Sequence, residues 1–257
     1  MTYTLNLGYF YPELLNLYGD QGNIFCLKKR CEWRDISVTV NDYPLGAALP
    51  DRSAKSYPDL IFMGGGPDKS QLAVAANLSR IGHWLSDFVD LGGVGLFICG
   101  AYQLLGQYYQ DADGGRLDGL GLFDLYTRHF GKDKKRCIGN VVVETDFLRD
   151  PTLNIRGKNT LVGFENHGGR TYLGPTAKPL GLVRHGFGNN GTDKTEGVIY
   201  KNAFGTYLHG PLLPKNPHFA DHLISLALKR KYGEDIPLKP LDDKLEWQAH
   251  AAAEKLR

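Results

Sequence analysis

Two short runs, 59–63 (Asp-Leu-Ile-Phe-Met) and 94–98 (Val-Gly-Leu-Phe-Ile), set the tightest limit on what this chain can become. Neither alternates apolar with polar residues, so neither is a strand with one wet face. Both read as parallel strands buried on two sides. Between them Leu72, Ala76, Ile81, Leu85 and Phe88 recur at helical spacing before Gly92-Gly93. A strand, a helix and a strand in that order form a crossover unit, and such units build parallel sheets. Further strands are expected at 3–8 and 36–40. A helix is expected after Asp20-Gln21-Gly22, with Ile24, Leu27 and Cys31 on one face.

Beyond residue 120 the texture changes. Cys137–Thr145, Thr160–Phe164, Leu180–Arg184, Val198–Tyr200 and Phe204–Leu208 read as strands joined by short Gly/Asn turns. A helix follows near 217–231, with Phe219, Leu223, Leu226 and Ala227 on one face. A helical tail is expected over 241–257, carrying Leu245, Ala249, Ala252 and Leu256. The expected architecture is therefore α/β, a mainly parallel sheet flanked by helices, with extra strands in the C-terminal half. No repeat or linker divides the 257 residues, so 1–257 reads as one domain with a helical tail.

Charge excludes one broad class. Thirty Lys and Arg against 28 Asp and Glu leave a net +2, too little field to recruit nucleic acid. Only Lys134-Lys135-Arg136 stands out as a local anion-binding candidate. No apolar run approaches the ~18 residues of a membrane helix, and the first residues carry no basic or apolar leader. Cys26, Cys31, Cys99 and Cys137 form neither CxxC nor a Cys/His zinc spacing, so no metal site and no disulfide framework are expected. Reduced thiols in turn point to the cytoplasm.

The chemistry concentrates at Cys99. The strand 94–98 runs directly into it, and a helical pattern, Gly100-Ala-Tyr-Gln-Leu-Leu105, begins directly after. Strand, nucleophile, helix is an elbow that lifts a side chain above the carboxyl edge of the sheet and sets it at a helix N-terminus, where a thiolate is favoured. An ordinary buried cysteine at a strand end satisfies the same pattern. Gly64-Gly-Gly66-Pro67 leaves the strand 59–63 at the same edge. Its N–H groups, with that of Gly100, are candidates for an oxyanion hole. A plain flexible turn is the alternative. Of eight histidines, His209 ends a strand-like run and is placed to meet a thiol at another strand end. His218 and His222, four apart, flank Asp221 on what reads as a solvated helix face. His167 lies in the polar, glycine-rich stretch 163–170, which reads as a contact loop.

Taken together, Gly64-Gly-Gly-Pro, Cys99-Gly-Ala-Tyr-Gln103 and Gly205-Thr-Tyr-Leu-His209-Gly resemble, in residues and in order, the class I glutamine amidotransferases of the cobyric-acid-synthase type, whose fold is flavodoxin-like. Leu17-Tyr-Gly-Asp-Gln-Gly-Asn23, 163–171 and 209–217 are similar to the free-standing amidotransferase subunits of lipid II isoglutaminyl synthases. The resemblance implies that Cys99 attacks the glutamine carboxamide to give a thioester and ammonia, with His209 relaying protons. It implies an oxyanion held by Gly65 and Gly100, and a glutamine site that includes Gly64, Gln103 and Arg136, the last on the α-carboxylate. It also implies no cofactor in this chain. The partner would be a Mur-ligase-like synthetase that uses ATP and Mg to activate the D-glutamate α-carboxylate of the lipid II stem peptide, in a heterodimer working near the inner face of the membrane.

One departure stands out. The wider family places a glutamate two residues after the histidine, where this chain has His209-Gly-Pro211. Either a Cys–His dyad suffices, or another acid, with Glu165 and Glu196 as candidates, orients the imidazole. Two other readings share the elbow: a subunit serving a cobalamin-type or other synthetase, and a cysteine-peptidase-like hydrolase indifferent to glutamine.

Overall fold

Both apolar runs become inner strands of a six-stranded sheet in the computed structural model, which describes residues 2–131, 133–149 and 159–256. The first half of the chain forms β1 (Thr4–Phe10), α1 (Gln21–Glu32), β2 (Ser37–Tyr43), β3 (Leu60–Met63), α2 (Asp68–Asp90), β4 (Val94–Ile98) and α3 (Gly100–Leu104). There follow β5 (Tyr108–Gln110), β6 (Arg116–Asp118), β7 (Leu125–His129), β8 (Cys137–Glu144), β9 (Thr160–His167) and β10 (Gly169–Leu173). The remainder holds β11 (Gly181–His185), β12 (Thr195–Glu196), β13 (Val198–Tyr200), β14 (Ala203–Thr206), α4 (Pro217–Tyr232) and α5 (Lys244–Ala253).

The six-stranded sheet runs β13-β14-β4-β3-β1-β2. All pairs are parallel except the edge pair β13–β14. Every residue of β3 and β4 is buried, as unalternating apolar strands require. Their register sets the site. Met63 pairs with Phe97, and Ile98 pairs with Thr206. The segments that follow β3, β4 and β14 therefore leave the sheet at one edge, side by side. Two four-stranded sheets, β10-β7-β5-β6 and β12-β11-β8-β9, make up the extra strands. A single bridge, Phe164 to His209, joins β9 to the end of the main sheet.

Helix α1 is anchored at its far end. Arg30, 2% exposed, forms two bidentate pairs: Nε and Nη2 donate to Asp221 of α4, and Nη1 and Nη2 donate to Asp243 just before α5. Arg34 adds a bond to Asp221 and another to the Lys239 carbonyl. One buried charge cluster thus ties α1, α4 and the C-terminal segment together.

Several expected faces differ. In α2 the inward stripe begins with Gln71, Val74 and Leu78, while Leu72 and Ala76 point outward. Counting back from Leu85 in steps of 3.6 reaches 78, 74 and 71, so the helix period overrides the hydrophobicity of Leu72. The helical tail expected over 241–257 forms α5 at its centre; Leu245, Ala249, Ala252 and, beyond the helix, Leu256 are exposed, and His250 is the buried residue. The polar stretch 163–170 is no loop but the end of β9 and the start of β10. Nor are His218 and His222 solvated: His218 is buried and bonded to the Thr160 carbonyl, and the His222 ring lies 5.3 Å from Phe147.

Candidate active site

Cys99 occupies the one position between β4 and α3, with φ 49° and ψ −100°. A side-chain-bearing residue rarely adopts that conformation, and here the surroundings enforce it. The Cys99 N–H donates to the Thr206 carbonyl, and the Cys99 carbonyl accepts from Gln103 N–H. The backbone is pinned on both sides of the turn, and the thiol is driven out of line with strand and helix. Because α3 spans only five residues, its dipole adds little. The group that acts on the thiol must be a neighbour.

That neighbour is His209. Its ring is fully buried, held by a pair of backbone bonds with Phe164. A Cβ built on Gly65 would stand 2.7 Å from His209 Cε1, 3.2 Å from Cys99 Cβ and 3.4 Å from Asp20 Oδ2. Gly65 is therefore the floor on which the other three meet, and only glycine fits there. Burial alone would pull the His209 imidazole down. The Cys99 thiolate, aided by the Asp20 carboxylate, outweighs burial and pushes it up to about 10. His209 Nδ1 lies 3.1 Å from Asp20 Oδ1. Nε2 is buried, has no hydrogen-bond partner among the described residues, and is the nitrogen left for proton transfer.

Asp20 is the acid that neither the dyad reading nor Glu165 nor Glu196 anticipates. It is fully buried and lies just ahead of α1, where an aspartate normally caps the helix. It makes no capping bond. Its two oxygens go instead to His209 Nδ1 and to Gly65 N–H, the latter at 2.7 Å. Glu165 is spent on the N–H groups of Phe187 and Gly188, and Glu196 on Thr206 Oγ1 and Tyr207 N–H. The signal in the sequence was a charged residue ahead of a helix, which is indistinguishable from a cap until its partner is known.

The other expected residues fall into two groups. Arg136 is joined to the site: its Nε and Nη2 donate to Asn166 Oδ1 and O, Asn166 Nδ2 donates to Tyr18 Oη at 2.6 Å, and the Tyr18 ring stands 5.0 Å from that of His209. Gly100 follows the nucleophile, with Gln71 packed against it. Gly65 N–H, assigned to an oxyanion, is already donated to Asp20, so oxyanion binding requires it to exchange acceptors. Gly64 is glycine for another reason than a ligand: a Cβ there would stand 2.3 Å from the Leu15 carbonyl. Gln103 is buried one turn behind the thiol, where its Nε2 donates to Tyr207 Oη. It braces the pocket from behind.

Such a site is built to cleave an amide through a thiol: nucleophile, oriented base, and glycine backbone beside both. Comparison with known proteins agrees with that chemistry. GatD of lipid II isoglutaminyl synthase (glutamine-hydrolyzing) from Streptococcus pneumoniae is 41% identical over 241 residues, covering 94% of this chain and 87% of that one. GatD from Staphylococcus aureus is 41% identical over 247 residues, 95% of this chain and 93% of that one. A probable cobyric acid synthase from Methanocaldococcus jannaschii is 34% identical over 65% of this chain but only 33% of its own length. Among solved structures, a glutamine amidotransferase from Thermotoga maritima shares the fold at 18% identity, covering 99% of this chain and 94% of that one with a TM-score of 0.51. Residues 6–217 match the CobB/CobQ-like glutamine amidotransferase domain, and the chain belongs to that family.

Proposed function

We propose that this chain is the glutamine-hydrolysing subunit of a lipid II isoglutaminyl synthase, releasing ammonia for a Mur-ligase-like partner. The observation that carries the reading is the meeting of Cys99, His209 and Asp20 around Gly65. Relatives that align along nearly the whole chain, and are named for this reaction, support it over a cobalamin-type role.

The steps follow from the geometry. The Cys99 thiolate attacks the carboxamide carbon of glutamine, and the Gly100 N–H takes the developing oxyanion. Imidazolium Nε2–H protonates the departing nitrogen, the C–N bond breaks, and ammonia leaves a γ-glutamyl thioester. Neutral Nε2 then takes a proton from water, which attacks the thioester. The C–S bond breaks to give glutamate and the free thiol. Throughout, Asp20 keeps Nδ1 protonated and so fixes the reacting tautomer. Arg136 presents a fork suited to the substrate α-carboxylate.

The ammonia would amidate the D-glutamate α-carboxylate of lipid II, activated with ATP and Mg on the partner at the inner face of the membrane. No helix among the described residues is long and apolar enough to cross a membrane.

The test is intact-mass measurement after exposure to 6-diazo-5-oxo-L-norleucine. One adduct on the wild type, and none on Cys99→Ser, is the expected result. An adduct that survives the substitution refutes the mechanism. If only a complex with the Mur-ligase-like protein is labelled, the site needs its partner to assemble.

A further inference from the structure

The catalytic trio is sealed: Cys99 is 6% exposed, and Asp20 and His209 are wholly buried. Tyr18, in edge-on contact with the His209 ring, is 42% exposed. It therefore forms the boundary between the pocket and solvent. Its backbone is left-handed, φ 57° and ψ 24°, a conformation that costs energy for a tyrosine and persists only where the surroundings insist.

What holds it is a chain of directed bonds. Arg136 donates twice to Asn166, and Asn166 Nδ2 donates to Tyr18 Oη. Two donors stay unspent. The hydroxyl accepts from Asn166 and so keeps its own O–H hydrogen. Arg136 uses Nε and Nη2 on Asn166, so its Nη1 makes no hydrogen bond among the described residues. Both donors are held by the same residue, Asn166: its carboxamide makes one bond to each of them, its backbone carbonyl makes a second to Arg136, and the three bonds fix their spacing before any ligand arrives. Two such donors at a pocket rim suit a small carboxylate.

We infer that Tyr18, Asn166 and Arg136 form one preorganised rim that reads the α-carboxylate of the substrate, with Tyr18 a specificity-determining residue and Asn166 a positioning one. This rests on the glutaminase reading above. The rim distinguishes glutamine from amides of the same length that lack the carboxylate. It does so at a distance from the bond being broken, so its loss weakens binding rather than chemistry.

The experiment compares the full wild-type chain with Tyr18→Phe, which removes one hydroxyl and keeps the ring on His209. Hydrolysis of glutamine and of 4-aminobutanamide, which lacks the carboxylate, is followed by ammonia release. The rate of Cys99 labelling by the diazoketone is measured alongside. Tyr18→Phe is expected to raise the glutamine KM about ten- to a hundredfold with kcat within about twofold, the effect of one lost bond to a charged group. Preference for glutamine over 4-aminobutanamide falls by the same factor, and the pH profile of kcat is unmoved. Asn166→Ala, which frees Tyr18 and leaves Arg136 only its bond to the backbone carbonyl, is expected to produce a larger rise in KM. Unchanged KM and preference in Tyr18→Phe overturn the rim. So does a fall in kcat with a shifted pH profile, which would place the hydroxyl in the service of the imidazole. A wild type whose Cys99 takes no label, alone or with the partner, instead overturns the glutaminase reading.

Discussion

Asp20 shows how a single carboxylate can serve two masters. One oxygen orients His209 and the other occupies Gly65 N–H. Asp20→Asn keeps the shape but offers a neutral amide to Nδ1. It also removes one of the two charges that hold the imidazole above its ordinary value. Turnover by Asp20→Asn is expected to fall about a hundred- to ten-thousandfold with little change in Tm, measured as ammonia release and by calorimetry. A variant within tenfold of wild type would reduce the site to a dyad. Cys99 and His209 were both legible in the sequence because each sits at a strand end, a position that periodicity reveals. Asp20 was not, because its partner is 189 residues away and nothing local separates a capping aspartate from a catalytic one. Tyr18 and Asn166 fall in segments that carry the family resemblance, but neither had a role: an exposed tyrosine and an asparagine in a strand acquire one only when a bond joins them.

At the scale of elements, the parallel strands read clearly and the polar ones did not. The runs at 59–63 and 94–98 are buried on both faces, so composition alone marks them. Strands β5, β6, β7, β10 and β12 pass unnoticed. They are short or rich in polar residues, and their partners, not their sequences, make them strands. The tail forms the helix its spacing suggests, but its inner face is not the one its aliphatic residues mark. Leu245, Ala249, Ala252 and Leu256 face outward, while Trp247 packs on His218 and His250, and polar bonds fasten the segment too: Asp243 on Arg30, and Glu254 and His250 on Thr160. Arg30→Ala would leave Asp221 and Asp243 facing each other with one partner gone. A loss of about 3–5 kcal/mol is expected, the usual cost of breaking a buried ion pair from one side. Limited proteolysis should then cut first within 234–257, and denaturant unfolding would report the loss. Resistance equal to that of wild type would show that the tail is fastened elsewhere.

Across the whole molecule, the site is where three sheets converge. The main sheet supplies Cys99 and His209, the strand pair β8–β9 supplies the Asn166 that steadies Arg136, and Gly169 of β10 closes on the Gln103 amide. Glu196 is the buried link between two of these sheets. It lies in β12 and accepts bonds from Thr206 and Tyr207 at the end of β14. Burial, against the opposing pull of those bonds, pushes its carboxyl up to about 8. A raised carboxyl favours the folded state most when protonated. The stability it lends is complete below its unfolded value near 4.5 and drains away as pH climbs to about 8. Glu196→Gln keeps an acceptor for Tyr207 N–H and never ionises. Its Tm is expected to match wild type near pH 4 and exceed it near pH 8. Parallel Tm curves across that window would mean that Glu196 stays charged in the fold.

Pro211 occupies the place where the wider family carries its orienting glutamate, and its ring is packed on Gly22, where a Cβ would approach to 2.5 Å. The vacated position thus props the first turn of the helix that follows Asp20, the substitute acid. The two arrangements are not interchangeable one residue at a time. Writing Glu at 211 alone would remove the ring that props Gly22, while removing Asp20 alone would leave Nδ1 of the imidazole without its acceptor. Positions 20, 22 and 211 are thus coupled through packing, so a change at the proline is felt by the helix start that places the acid.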